Sequence, residues 1–66
     1  MNVIVNGNTK VFHDGITLLE ILEKLNLVDK VMAAAVNMEI VKQSEWDKKV
    51  LQENDKLELL DFVGGG

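Results

Sequence analysis

Ile16-Thr17-Leu18-Leu19-Glu20-Ile21-Leu22-Glu23-Lys24-Leu25 is the stretch from which the rest of the chain is read. Thr17 and Glu20 fit a capping box, in which the threonine hydroxyl accepts an orphan backbone N–H and the glutamate reaches back to the N-cap amide. Ile16 before the cap and Ile21 four positions after it have the spacing of a hydrophobic staple. Leu18, Ile21, Leu22 and Leu25 recur at i, i+3, i+4 and i+7, giving one apolar face to a helix running to about Leu27. Glu20 and Lys24 decorate the opposite face as an i, i+4 pair. A helix with a single apolar face needs a second layer to bury it.

The flanking segments supply strands for that layer. Upstream, residues 1–6 alternate, with Met1, Val3 and Val5 on one face and Asn2, Ile4 and Asn6 on the other. Asn6-Gly7 is a strong hairpin signal, because a type I′ turn needs φ > 0 at both central residues. Thr9 to His13 then returns antiparallel, and Asp14-Gly15 closes the hairpin. Downstream, the short apolar run Val31 to Val36 has β-branched ends and reads as a buried strand. Asn37-Met38-Glu39 reads as a turn and Ile40-Val41 as a stub of strand pairing back.

Residues 42–49 are polar except Trp46, with Ser44 placed to cap a single helical turn. Trp46 has two readings: a plug over the core edge with its indole N–H on solvent or a carbonyl, or an anchor for a partner. A polar turn over residues 52–55 leads into Leu57-Glu58-Leu59-Leu60-Asp61-Phe62-Val63, and then Gly64-Gly65-Gly66. The alternation turns Leu57, Leu59 and Val63 toward the helix and leaves Leu60 and Phe62 on the far face. The fold class is α+β, a mixed four- to five-stranded sheet packed on one main helix.

Composition narrows the function classes. Sixty-six residues make one domain near the lower limit for a core without disulfides or metal. There is no Cys, which excludes disulfides, thiolate zinc sites and a Cys nucleophile, and the lone His13 cannot form a metal cluster by itself. The net charge of −4, from eleven acids against seven lysines and no arginine, argues against nucleic acid and suits a partner with a basic surface. No apolar run approaches the roughly 20 residues of a membrane span. The N-terminus lacks the basic region and cleavage site of a signal peptide, so a reduced cytoplasmic protein is expected. Ser44 and His13 are the only serine–histidine pairing available, and each has a local structural explanation. No pair of acids is set apart for acid–base work.

What remains is the end of the chain. Three glycines supply a thin backbone without Cβ atoms, ending in an α-carboxylate that can enter a channel too narrow for side chains. The division expected is a domain over residues 1–63 and a flexible glycine tail over residues 64–66. Leu60 and Phe62, with Ile4 as a further member, form a candidate apolar patch beside that tail. Together with Val63 they are the candidate docking residues.

The ββαβ…β order with a C-terminal glycine pair resembles the β-grasp, ubiquitin-like fold. More narrowly, the chain resembles the ThiS family of sulfur carriers of thiamine (thiazole) biosynthesis, over essentially its whole length. The resemblance rests on Val3 through Asn6-Gly7, Thr17-Leu18-Leu19, Leu22, Leu25, Ala35-Val36-Asn37, Ile40-Val41, Trp46, Leu51, Asp55, Leu57-Glu58-Leu59 and Phe62 through Gly66. Members often carry Gly where Met38 stands, Pro-Arg where Lys42-Gln43 stand, and Gly where Asn54 stands.

The resemblance implies that the chain is a protein substrate rather than an enzyme. A ThiF-like adenylating enzyme, using ATP and magnesium, would convert the Gly66 carboxylate to an acyl-adenylate. A persulfide donor would supply sulfur to form a thiocarboxylate, and a ThiG-like thiazole synthase would take it. Gly64 and Gly65 would thread into the partner, and this chain would bind no cofactor itself. A molybdopterin-type carrier, a ubiquitin-like modifier and a plain interaction module are the alternatives.

Overall fold

The capping box forms as its spacing predicts. Helix α1 spans Leu18–Lys24. Thr17 is its N-cap, with the Glu20 N–H donating to Thr17 Oγ1 at 3.2 Å and the Thr17 N–H donating to Glu20 Oε1 at 2.9 Å. That backbone hydrogen bond is the main reason the Glu20 carboxyl lies below its ordinary pKa. The remaining first-turn donors are also satisfied. The Leu18 N–H donates to the Lys49 carbonyl at 2.8 Å, and that of Leu19 to the Trp46 carbonyl at 2.9 Å. Ile16 and Ile21, the staple residues, are both fully buried in one cluster with Leu18 and Leu22.

The helix ends earlier than Leu27. Asn26 takes φ 58, and the bonds Asn26 N–H to Glu23 C=O and Leu27 N–H to Leu22 C=O close a Schellman motif. Leucine periodicity continues past the stop because Leu25, the C-cap, and Leu27 beyond it still pack against the core.

The computed structural model describes residues 1–61, with backbone alone at Asp61. Its strands are β1 (Asn2–Val5), β2 (Asn8–Val11), β3 (Val31–Val36), β4 (Glu39–Val41) and β5 (Asp55–Asp61). They form one sheet in the order β2-β1-β5-β3-β4, with β1 and β5 parallel and the other neighbours antiparallel. This is the mixed-sheet, one-helix β-grasp architecture expected. Val3, Val5, Ala34, Val36, Leu57 and Leu59 turn one face of the sheet inward onto Leu18, Ile21 and Leu22. Among the described residues no helix is long and apolar enough to cross a membrane.

A short 3₁₀ turn, Gln43–Glu45, follows β4. Ser44 sits inside it rather than ahead of it, and no side chain caps it, so the capping role expected for Ser44 is not realised. Trp46 follows the first of its two readings. The ring is buried, and its indole N–H donates to the Val41 carbonyl at 2.9 Å, closing the core edge under β4.

Candidate functional site

Strand β5 is central, and its outward residues are the candidates for the site. Leu60 is 59% exposed and lies directly opposite Ala33, while Glu58 lies opposite Ala35. Ala35 in turn faces Ile40, which is 71% exposed. Residues directly opposite one another share a face. Leu60, Ala33, Ala35 and Ile40 therefore form an apolar strip across three strands, part of a shallow depression that Asn6 and Glu58 also line.

The β3–β5 ladder shifts register between Val31 and Ala33, so two residues on β3 match one step on β5. The extra residue is Met32, and the shift breaks strict alternation: Val31 is buried, whereas Met32 is 57% exposed. The irregularity lies beside Leu60 and Asp61, the last described residues of β5.

Ile4 does not join this strip. The parallel register places Ile4 beside Lys56, four residues before Leu60, with Glu58 between. At about 3.3 Å per residue that separation is roughly 13 Å, too far for one patch with Leu60. The outward assignment of Leu60 stands, but its apolar neighbours come from β3 and β4. Met32, Ala33, Ala35 and Ile40 were missed because an unbroken apolar run such as Val31 to Val36 does not reveal its own bulge or its neighbour's register. Phe62, Val63, Gly64, Gly65 and Gly66 lie outside the described residues.

Two asparagines grip β5 from its neighbours. At the end of β1 the Asn6 N–H donates to the Leu57 carbonyl at 2.9 Å, and the Leu59 N–H donates to Asn6 Oδ1 at 2.8 Å. At the end of β3 the Asn37 N–H donates to the Lys56 carbonyl at 2.8 Å, and the Lys56 N–H donates to Asn37 Oδ1 at 3.0 Å. Asn37 Nδ2 also donates to Asp55 Oδ1 at 2.9 Å. Each strand turns away at its asparagine, and the side-chain carbonyl takes over a bond of the ladder. The sequence signal was the pair of Asn-led turns, which was read for backbone shape alone.

His13 and Ser44 are both exposed. Among the described residues no three His, Asp or Glu side chains gather as a metal site.

The ThiS family model matches residues 3–66. The sulfur carrier protein ThiS of Escherichia coli is 29% identical over 66 residues, covering all of both chains. A thiazole synthase of Paramagnetospirillum magneticum is 32% identical over 66 residues, and this chain spans only 20% of that protein's length. A thiazole synthase of Magnetococcus marinus has the same identity and the same 20% share. The crystal structure of the thiamine biosynthesis protein ThiS from Geobacter metallireducens superposes with a TM-score of 0.82 at 27% identity, covering all of both chains. With a family match across nearly the whole sequence and the same architecture in a solved relative, this chain belongs to the ThiS family.

Proposed function

We propose that this chain is a sulfur carrier for the thiazole moiety of thiamine, and that its reactive group is the α-carboxylate of Gly66. The observation that carries the reading is the end-to-end likeness to a named sulfur carrier, in a chain that itself ends Gly64-Gly65-Gly66. A carboxylate is a poor acyl electrophile. A ThiF-like adenylating enzyme, with ATP and magnesium, activates it: a Gly66 oxygen attacks the α-phosphorus and pyrophosphate leaves. The terminal sulfur of a persulfide then attacks the acyl carbon and AMP departs. A second thiol cleaves the resulting sulfur–sulfur bond, leaving a thiocarboxylate on Gly66 and a disulfide on the donor side.

This chain contributes positioning, with its globular part docked and its tail threaded through Gly64 and Gly65. The strip of Leu60, Ala33, Ala35 and Ile40 is the docking surface on the described residues, continued in sequence by Phe62 and Val63. A thiazole synthase is the acceptor. Its support is that relatives bearing that name contain a stretch similar to the whole of this chain.

Intact mass spectrometry after incubation with the adenylating enzyme, ATP and a persulfide donor is expected to show one oxygen replaced by sulfur. An unmodified chain beside a demonstrably active enzyme overturns the reading. In the same assay Leu60→Asp is expected to raise KM by about tenfold while the domain stays folded. Unfolding of that variant would overturn the assignment of Leu60 to the docking face.

A further inference from the structure

We propose that Asn6 is a positioning residue for the C-terminal transfer, acting through its side-chain bond to the Leu59 N–H; this rests on the carrier reading above. In a parallel ladder a residue donates its N–H to one neighbour and accepts at its backbone carbonyl from the residue two further on. Asn6 makes the first of these bonds, to the Leu57 carbonyl at 2.9 Å. At φ 48 its backbone then enters the turn, and Oδ1 accepts the Leu59 N–H at 2.8 Å in place of the backbone carbonyl. The β1–β5 register ends at Val5 and Leu57, so this side-chain bond carries the pairing two residues further along β5.

The other edge of β5 is irregular just beyond that point. Its ladder to β3 shifts register between the Ala33–Leu60 and Val31–Asp61 pairs. β5 is thus held at Leu60 and Asp61 by a bulged ladder on one side and, just before them at Leu59, by Asn6 on the other. Five residues follow Asp61 to the terminal carboxylate, an extended reach of at most roughly 17 Å. A partner that threads those residues has to order every residue left free before them as well, and each one adds conformational entropy to be lost. By holding Leu59, Asn6 keeps the β1 edge of β5 attached to within two residues of Asp61, which limits how far the strand peels from the sheet when a partner threads the residues beyond it.

The side-chain acceptor separates from the turn geometry by substitution. Asn6→Gly keeps a residue suited to φ > 0 and removes the acceptor. Asn6→Asp keeps both, since aspartate tolerates the left-handed region and retains an oxygen at the same place. Steady-state adenylation of the full chain by its adenylating enzyme is measured alongside amide hydrogen exchange at Leu59.

Asn6→Gly is expected to lower kcat by about tenfold with a smaller change in KM, because Leu60, Ala33, Ala35 and Ile40 are unchanged, although Asn6 lines the same depression, while the bond to the Leu59 N–H is lost. Asn6→Asp is expected to restore kcat. A purely structural role would reduce the folded fraction, raising apparent KM at unchanged kcat. That pattern overturns the proposal, as does wild-type kcat in an Asn6→Gly chain whose Leu59 amide exchanges faster. Exchange at Leu59 in the wild type as fast as in an exposed loop overturns it without any variant. Failure of the wild-type chain to be adenylated by an active enzyme overturns the carrier reading instead, and this role of Asn6 falls with it.

Discussion

The turns Asn6-Gly7 and Asn37-Met38 have the same shape and brace β5 from opposite edges, yet their second residues differ. Both are two-residue connections with positive φ throughout: 48 and 86 at the first, 51 and 71 at the second. In each the asparagine lends its side-chain oxygen to β5. Glycine takes the second position of the first turn at no steric cost, whereas Met38 holds a left-handed conformation with its side chain 87% exposed. The shared residue is therefore the one that braces the central strand, and the differing residue sets only the local strain. The edges are also braced unequally. At the start of β5, Asn37 bonds both Lys56 and Asp55, and Asp55 in turn accepts the Gln52 N–H at 2.8 Å. Further along, at Leu59, Asn6 makes a single side-chain bond to the strand among the described residues.

The largest effect that would break this comparison is expected at the doubly bonded edge. Asn37→Gly keeps the turn but loses two side-chain bonds, and about 2 kcal/mol of unfolding free energy should go with them in a denaturant titration. Asn6→Gly, with one bond lost, should cost about 1 kcal/mol on the same measurement. Equal losses would show that the two grips are equivalent. Met38→Gly relieves the left-handed methionine and should raise stability by about 0.5–1 kcal/mol, visible as a higher midpoint at unchanged slope. A fall in midpoint would show that the exposed side chain holds the hairpin together after all.

The smallest expected effect is a pH dependence that separates the turns from the helix cap. The Glu20 carboxyl is held below its ordinary value, chiefly by the Thr17 backbone N–H. The unfolded chain therefore binds the proton first as pH falls, so this contribution is full above the unfolded carboxylate pKa and disappears as pH drops through the folded one. The stability gap between wild type and Glu20→Gln should narrow on acidification. The gap between wild type and Asn6→Gly should not move, because its bond joins two neutral amides. Parallel behaviour of the two gaps would contradict the assignment.

Much of this fold was legible because its signals are local. Thr17 and Glu20 are three residues apart, Asn6-Gly7 is a dipeptide, and the Leu57/Leu59 alternation lies within one strand. Each of these depends on neighbours in sequence and each is found in place. The helix end was less legible: Leu25 and Leu27 keep the apolar rhythm while Asn26 has already left the helical region. Ser44 had the composition of a cap but falls within its turn. The candidate site needed long-range facts. Placing Ile4 beside Leu60 failed because the register of β1 against β5 joins residues some fifty positions apart, and nothing near Ile4 encodes it. Asn6 and Asn37 illustrate the same limit: the dipeptides show the turn, but not which distant strand the side chain will serve.

The sheet order has a consequence for how the protein is made. β5 joins two hairpins that otherwise share no ladder, β2-β1 on one side and β3-β4 on the other. A nascent chain that has released only residues 1–54 from the ribosome therefore lacks the strand that joins its two hairpin segments, each of which is marginally stable by itself. Closure waits for residues 55–61, and because β1 and β5 lie at opposite ends of the chain, it is a high-contact-order step. Folding is thus completed from the C-terminal side, by the same strand that leads into the terminal glycines. A ribosome stalled before that strand would release a chain lacking both the keystone of its sheet and the tail beyond it.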